Sequence, residues 1–195
     1  MREQALRAMT LPDEEAADAD LIDAARHDPT AFARLYHRHV DVVYRYCLSR
    51  TGNRADAEDL TAKVFLEAWQ GLERYRHRGT FRAWLFTIAH RRVIDFYRST
   101  ARDPIAQAVP MDASRDGAVT GGPYHEVVLD EALRKLGDLV AGLDHERQTM
   151  LTLRYAGDLT YREICQVMGK TTAAVKMATR RTLKQLADQW RENDG

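Results

Sequence analysis

The chain has 195 residues, 45% apolar and 30% charged, with 29 Lys plus Arg set against 29 Asp plus Glu. That content allows one large domain or two small ones with real cores, while no run approaches the ~20 apolar residues of a bilayer span and no signal peptide is read at the N-terminus. Two distant cysteines, Cys47 and Cys165, make neither a disulfide framework nor a zinc site; secreted, membrane and fibrous classes are excluded, and a cytoplasmic protein is expected. Residues 1–19, with 2 basic and 5 acidic side chains, read as a mobile tail. From Asp20 to about Arg98 the pattern is helical. Asp28-Pro29 caps and starts a helix whose apolar positions Phe32, Leu35, Tyr36, His39, Val43 and Cys47 run until Gly52. A second helix, about 55–72, has Leu60, Val64, Ala68 and Leu72 on one stripe, with Asp56, Glu58 and Asp59 in its first turn. After the loop YRHRG a third helix starts at Thr80 and is expected to bury Phe81, Leu85, Ile88, Ala89 and Phe96.

Residues 101–126 are rich in proline and glycine and read as a flexible acidic linker. An amphipathic helix follows, with Val128, Leu129, Ala132, Leu133, Leu136, Leu139, Val140 and Leu143, and then two short helices and a long one over about 173–190. The fold class is all-α: two small helical domains, 20–100 and 127–190, flanked by short tails at 1–19 and 191–195.

Zero net charge is a sum of opposed blocks. Residues 1–19 carry −3, 20–100 carry +4, 101–145 carry −4 and 146–195 carry +3. Seven arginines and one acid lie between Arg74 and Arg98, and five bases with no acid between Lys170 and Lys184. Screening acts over about 8 Å at physiological salt, so such clusters work locally.

Thr160-Tyr-Arg-Glu163 is a capping box. Its helix should end at Gly169, with Thr171 or Thr172 capping the next. Cys165, Gly169 and Val175 have helix-turn-helix spacing: a small residue where the helices cross, a glycine in the turn and a buried β-branched residue. The second helix would expose Thr172, Lys176, Arg180 and Lys184, with Arg181 nearby, to phosphates and base edges in a major groove.

The segment DAEDLTAKVFLEAWQGLERYRHRGTFRAWLFTIAHRRVIDFYRS resembles the first conserved domain of bacterial RNA polymerase sigma factors, in the extracytoplasmic-function (ECF) class of the sigma-70 family. LDHERQTMLTLRYAGDLTYREICQVMGKTTAAVKMATRRTLKQL resembles their second, promoter-reading domain. Together they cover about 20–100 and 127–190, in the order of the family. The resemblance implies docking on core RNA polymerase by Asp56, Glu58, Asp59, Leu60, Phe65 and Trp69. It implies melting and reading of a minus-ten element by Tyr75, Arg76, His77, Arg78, Trp84, Arg91 and Arg98. For the minus-thirty-five element it implies Thr172, Lys176, Met177, Arg180, Arg181 and Lys184. At 100° per residue, Trp84, Thr87, Arg91, Asp95 and Arg98 share one line, where an aromatic ring among arginines suits an unstacked base; simple burial of Trp84 is the competing expectation. Arg92 falls toward the apolar side, where pairing with a carboxylate is expected.

This chain departs from the family pattern at Ala62-Lys63, where Gln-Glu is common, at Arg91, often Asn, and at Met177 and Ala178 in the recognition helix. The resemblance further implies an anti-sigma factor as partner and a chain that is monomeric when free, with no cofactor and no metal. A stand-alone helix-turn-helix regulator is the alternative, but it leaves the DAED helix and the arginine-rich helix without a task. His37, His39 and Asp41 could suggest a metal site, yet two residues apart on a helix the histidines point to different sides, and no nucleophile elbow or phosphate loop supports an enzyme.

Overall fold

In the computed structural model, which describes residues 12–76, 79–100 and 123–193 (side chains from 18 and from 131 in the outer segments), every regular element is helical. They are α1 (Pro12–Ala25), α2 (Pro29–Thr51), α3 (Arg54–Gly71), a 3-10 turn (Leu72–Arg74), α4 (Phe81–Thr100), α5 (Pro123–Ala141), α6 (His145–Tyr155), α7 (Tyr161–Met168) and α8 (Thr172–Glu192). No helix among the described residues is long and apolar enough to cross a membrane.

The helix ends follow from local chemistry. Asp28 accepts from the Thr30 amide and Gly52 closes α2 at φ 65°, a left-handed conformation that costs glycine little. Asn53 caps α3 through the Asp56 amide, at 3.2 Å. Thr80 caps α4, its Oγ1 accepting from the Ala83 amide at 3.1 Å. Both halves of the Thr160–Glu163 capping box form, Gly169 takes φ 65°, and of the two candidate threonines it is Thr171 that caps α8.

Two sequence boundaries shift. The helix α1 starts at Pro12, inside the expected mobile tail, and its Asp18 is buried against α2. Asp18 accepts from Arg38 and lies 2.9 Å from His39 Nε2. These partners explain why an uncapped acidic stretch joins the fold: a buried carboxylate needs them. The helix α5 starts at Pro123 and takes in the last four residues of the expected linker, proline being suited to the first helical turn. The rest of that linker, and the remainder of the tail, lie outside the described residues.

Helices α1 to α4 form the first domain. Most of the expected stripes are interior: Leu35, His39, Val43 and Cys47 of α2, Leu60, Val64 and Ala68 of α3, and Phe81, Leu85, Ile88 and Ala89 of α4 are buried, whereas Phe32 and Phe96 are half-buried and Tyr36 is exposed at the edges of their stripes. Helices α5 to α8 form the second, with Leu143, Leu151 and Leu186 buried together. The domains also pack on each other, α4 against α7 and α2 against α6. One apolar cluster runs from Leu35 and Phe86 through Leu153, Leu159 and Ile164 to Val175.

Candidate functional site

Three surfaces carry the candidate residues. On α3, Glu58 and Asp59 are exposed and paired within their own helix, Glu58 with Arg54 at 2.8 Å and Asp59 with Lys63 at 2.5 Å. Asp56 is half-buried in the first turn. Such exposed i,i+4 pairs hold little energy, about 0.3–0.5 kcal/mol, so a binding partner could exchange them at small cost. Leu60 and Phe65, expected at the docking surface, are instead buried. They face the core because they lie on the same side of α3 as Val64 and Ala68, and they support the surface rather than form it. Trp69 is 39% exposed, its ring edge-on to Phe32 at 4.7 Å. The apolar contact area missed from sequence is Leu66, 58% exposed, with Tyr36 beside Phe65. A signal for Leu66 existed: it sits opposite the Val64–Ala68 stripe, where an α-helix of this kind ordinarily carries a polar residue.

The second surface surrounds the start of α4. Tyr75, expected to meet DNA, is buried, and its hydroxyl donates to the Gly79 carbonyl at 3.0 Å. Its side chain therefore lies inside the domain and is tied to Gly79. Arg76 is exposed and donates to the Glu73 carbonyl at 3.1 Å, while His77 and Arg78 lie outside the described residues. Trp84 is half-buried, with ring centroids 4.8 Å from Tyr75 and 5.5 Å from Phe81. Gly71 sits against the same indole, and a Cβ there would come within 3.3 Å of it. Thr87, Arg91, Asp95 and Arg98 are exposed along one face of α4, as the spacing predicts. Arg91 and Arg92 both reach Glu67 of α3; the Arg92 pair is 2.7 Å and Arg91 is in direct contact. The expected carboxylate partner of Arg92 is thus Glu67.

The third surface is α8. Thr172, Lys176, Met177, Arg180, Arg181 and Lys184 are all exposed on it, while Val175, Thr179, Thr182 and Leu186 face inward. Lys176 Nζ lies 5.9 Å from the centre of the Tyr161 ring. Arg180, Arg181 and Lys184 make no ion pair among the described residues, so their charge is available to phosphates. Met177, 53% exposed, puts an apolar side chain among them.

Of the two cysteines, half-buried Cys165 reaches Thr172 of α8, its Sγ 3.5 Å from the hydroxyl oxygen, while Cys47 is buried away from these surfaces. Burial pushes the Cys47 thiol up to about 11, which makes it unreactive. Among the described residues no cluster of His, Cys, Asp or Glu could hold a metal ion.

Two helical domains, the second with an exposed basic helix in a helix-turn-helix, define a DNA-reading protein. Residues 35–103 match the Sigma-70 region 2 family and residues 133–186 the Sigma-70, region 4 family. The ECF RNA polymerase sigma factor BldN of Streptomyces coelicolor is 35% identical over 181 residues, covering 88% of this chain and 67% of that protein. The ECF sigma factor SigD of Mycobacterium tuberculosis is 30% identical over 182 residues, covering 90% and 84%. Among solved structures, CnrH in complex with the cytosolic domain of CnrY matches with a TM-score of 0.65 at 21% identity, over 90% of this chain and 98% of that one. RpoE of Bartonella quintana in complex with the anti-sigma factor NepR matches at 0.63 and 19%, over 82% and 96%; both likenesses bear on the fold. The chain belongs to the ECF RNA polymerase sigma factors of the sigma-70 family, the proteins that direct transcription initiation.

Proposed function

We propose that the outer face of α3, with Asp56, Glu58, Asp59, Leu66 and Trp69, docks on core RNA polymerase. Apolar residues ringed by exchangeable charges have the make-up of an interface, and the Glu58 and Asp59 pairs cost little to reorganise. Arg76, Trp84, Arg91 and Arg98 then meet the melted minus-ten strand, where an aromatic ring accepts an unstacked base and arginines neutralise its phosphates. The α8 row Thr172, Lys176, Met177, Arg180, Arg181 and Lys184 reads the minus-thirty-five duplex. The single observation that carries this reading is the exposed, acid-free row on α8 following a complete capping box. Its role is that of a binding subunit, with bond-making left to the polymerase, and its place is the cytoplasm.

An anti-sigma factor that covers the α3 face is the expected inhibitory partner; the solved structure of RpoE is of a complex with the anti-sigma factor NepR. The stand-alone regulator reading leaves the exposed Leu66 and Trp69 without a role.

The test is transcription with purified chain and core enzyme. Initiation should occur at a subset of genomic promoters, and Asp59→Lys with Leu66→Ala should weaken core binding about ten-fold or more while helicity is kept. Arg180→Ala should reduce promoter-specific transcription more than core binding. Failure to co-purify with core, or equal loss of both activities in Arg180→Ala, overturns the reading.

A further inference from the structure

Met177 stands at the centre of the exposed face of α8. The helix turns Val175, Thr179, Thr182 and Leu186 inward. At 100° per residue, the direction opposite their mean falls within about 10° of Met177 and of Lys184 and within about 30° of Ala173. Arg180 and Arg181 flank that direction by about 50° on either side. All five side chains are exposed, Met177 by 53%. Its neighbour Ala178 packs against the core, whereas Met177 points away from it. The outermost line of the helix is thus apolar at its start, through Ala173 and Met177, and cationic at Lys184, with one arginine on each flank.

In a major groove the outermost line of a recognition helix, its N-terminal half above all, meets base edges, while side chains on its flanks meet the phosphates of the two strands. Here that half offers a methyl group and a thioether, neither of which can read a donor or an acceptor. The base pairs display hydrogen-bonding groups in the groove and one bulky apolar group, the C5-methyl of thymine. Over any other base edge, an apolar side chain would take water from a donor or acceptor and give no hydrogen bond back. Over a thymine methyl it buries apolar surface on both sides. Methionine, with three rotatable bonds and a polarisable sulfur, adapts readily to such a contact. Ala173 lies about 6 Å before Met177 along the axis, close to two base-pair steps of ~3.4 Å, so the two residues can cover methyl groups on nearby pairs.

We propose that Met177, with Ala173 behind it, reads a thymine of the minus-thirty-five element through its C5-methyl group, while Arg180 and Arg181 hold the phosphates on either side. The inference rests on the promoter reading given above and names a base which that reading leaves open. Position 177 is also one at which the chain departs from the family pattern, so the base read there belongs to this chain's own specificity.

Deoxyuridine tests this, because it differs from thymidine by that methyl group alone. The full chain with core enzyme is titrated with a promoter duplex carrying a bubble at the minus-ten position, its sequence taken from a promoter at which the chain initiates. Each thymine of the minus-thirty-five element is replaced in turn. One or two replacements should weaken binding by the parent chain about four-fold each, the worth of one buried methyl group. Met177→Ser should bind the unmodified duplex more weakly and lose its response at the sensitive position, while Met177→Leu keeps it. Both substitutions fall on an exposed side chain, so helicity and core binding should stay at parental values. A minus-thirty-five element without thymine overturns the proposal, as does a replacement profile that is flat or is the same for the parent and Met177→Ser. Equal loss of core and promoter binding in Met177→Ser overturns it too, by placing Met177 in a contact with protein. If no promoter duplex is bound at all, the promoter reading itself fails and this proposal falls with it; binding with a flat profile sinks the thymine contact alone.

Discussion

Glu67 holds two arginines that stand in different surroundings. Arg92 is the more covered of the pair and lies toward the core, whereas Arg91 is 59% exposed on the proposed DNA face. To meet a phosphate, Arg91 must leave Glu67, and Arg92 would keep the carboxylate from being orphaned. Glu67→Gln should therefore strengthen binding of the bubble duplex and steepen its salt dependence by about 0.7–0.9, the share of one phosphate contact. The same substitution should lower the melting temperature by a few degrees, since partly exposed pairs contribute about 1 kcal/mol or less. Filter binding over a salt series and thermal melting measure the two effects. A salt slope unchanged from that of the parent chain would show that Arg91 does not contact DNA.

Two glycines of the second domain separate the uses of that residue at the scale of the element. Gly169 needs its left-handed backbone, yet a Cβ there meets nothing within 4 Å. Gly169→Ala should cost about 1–2 kcal/mol from the backbone alone. Gly157→Ala puts a methyl 2.9 Å from both the Leu153 carbonyl and the Phe86 ring, so it should cost more and should loosen the domain contact besides. Urea denaturation of the two variants ranks them; the reverse order would refute the close fit at Phe86. The helix ends were legible in the sequence because caps are local: Asp28, Gly52, Thr160, Glu163 and Gly169 all do what their positions announce. The stripes of α2, α3 and α4 were legible for the same reason. The second stripe of α4 is less plain. Phe86, His90, Val93 and Tyr97 recur at helical spacing beside the one that fills the first domain, and the structure turns them to Tyr46, His145 and the helix-turn-helix domain. A helix with two apolar stripes has two neighbours, but no local rule says which. The Asp18 partners, some twenty residues away on α2, were hidden by the same non-locality, as was the burial of Tyr75.

For the molecule as a whole, the junction between domains makes stability depend on pH. Burial pushes His145 below its ordinary value of 6.5, and the Arg50 guanidinium pushes it further, against a smaller opposing pull from Asp144. His90, bonded to the Tyr46 hydroxyl at 3.0 Å, is lowered by burial, by His145 and by Arg50. A histidine lowered in the closed, folded state takes up its proton more readily once opened or unfolded. Closure is thus fully favoured above about 6.5 and weakens as pH falls below that value. Asp18 acts lower on the scale. Burial alone would raise it, but its bonds to His39 and Arg38 prevail and hold it below 3.8, so its contribution is present above that value and is lost as pH falls through the lowered one. Melting followed from pH 8 to pH 3 should show two successive losses. His145→Ala should blunt the first and leave the second; an unchanged first step would refute the assignment to His145.

The two-sided α4 also governs what happens if the chain is cut. A fragment of residues 12–100 would bare Phe86, fully covered in the whole protein and lying against Gly157, and a fragment of 123–193 would bare Leu159 and Ile164. Each would carry a fresh adhesive patch of complementary shape. Mixed after separate purification, the fragments should co-elute as a one-to-one pair on gel filtration without a peptide bond between them, and His145→Ala/Asp158→Asn in the second, which removes the contacts of His145 with Arg50 and of Asp158 with Arg82, should weaken the pairing. The covalent connection would then matter for holding the partners near each other while apart, and the side-chain contacts for bringing them back.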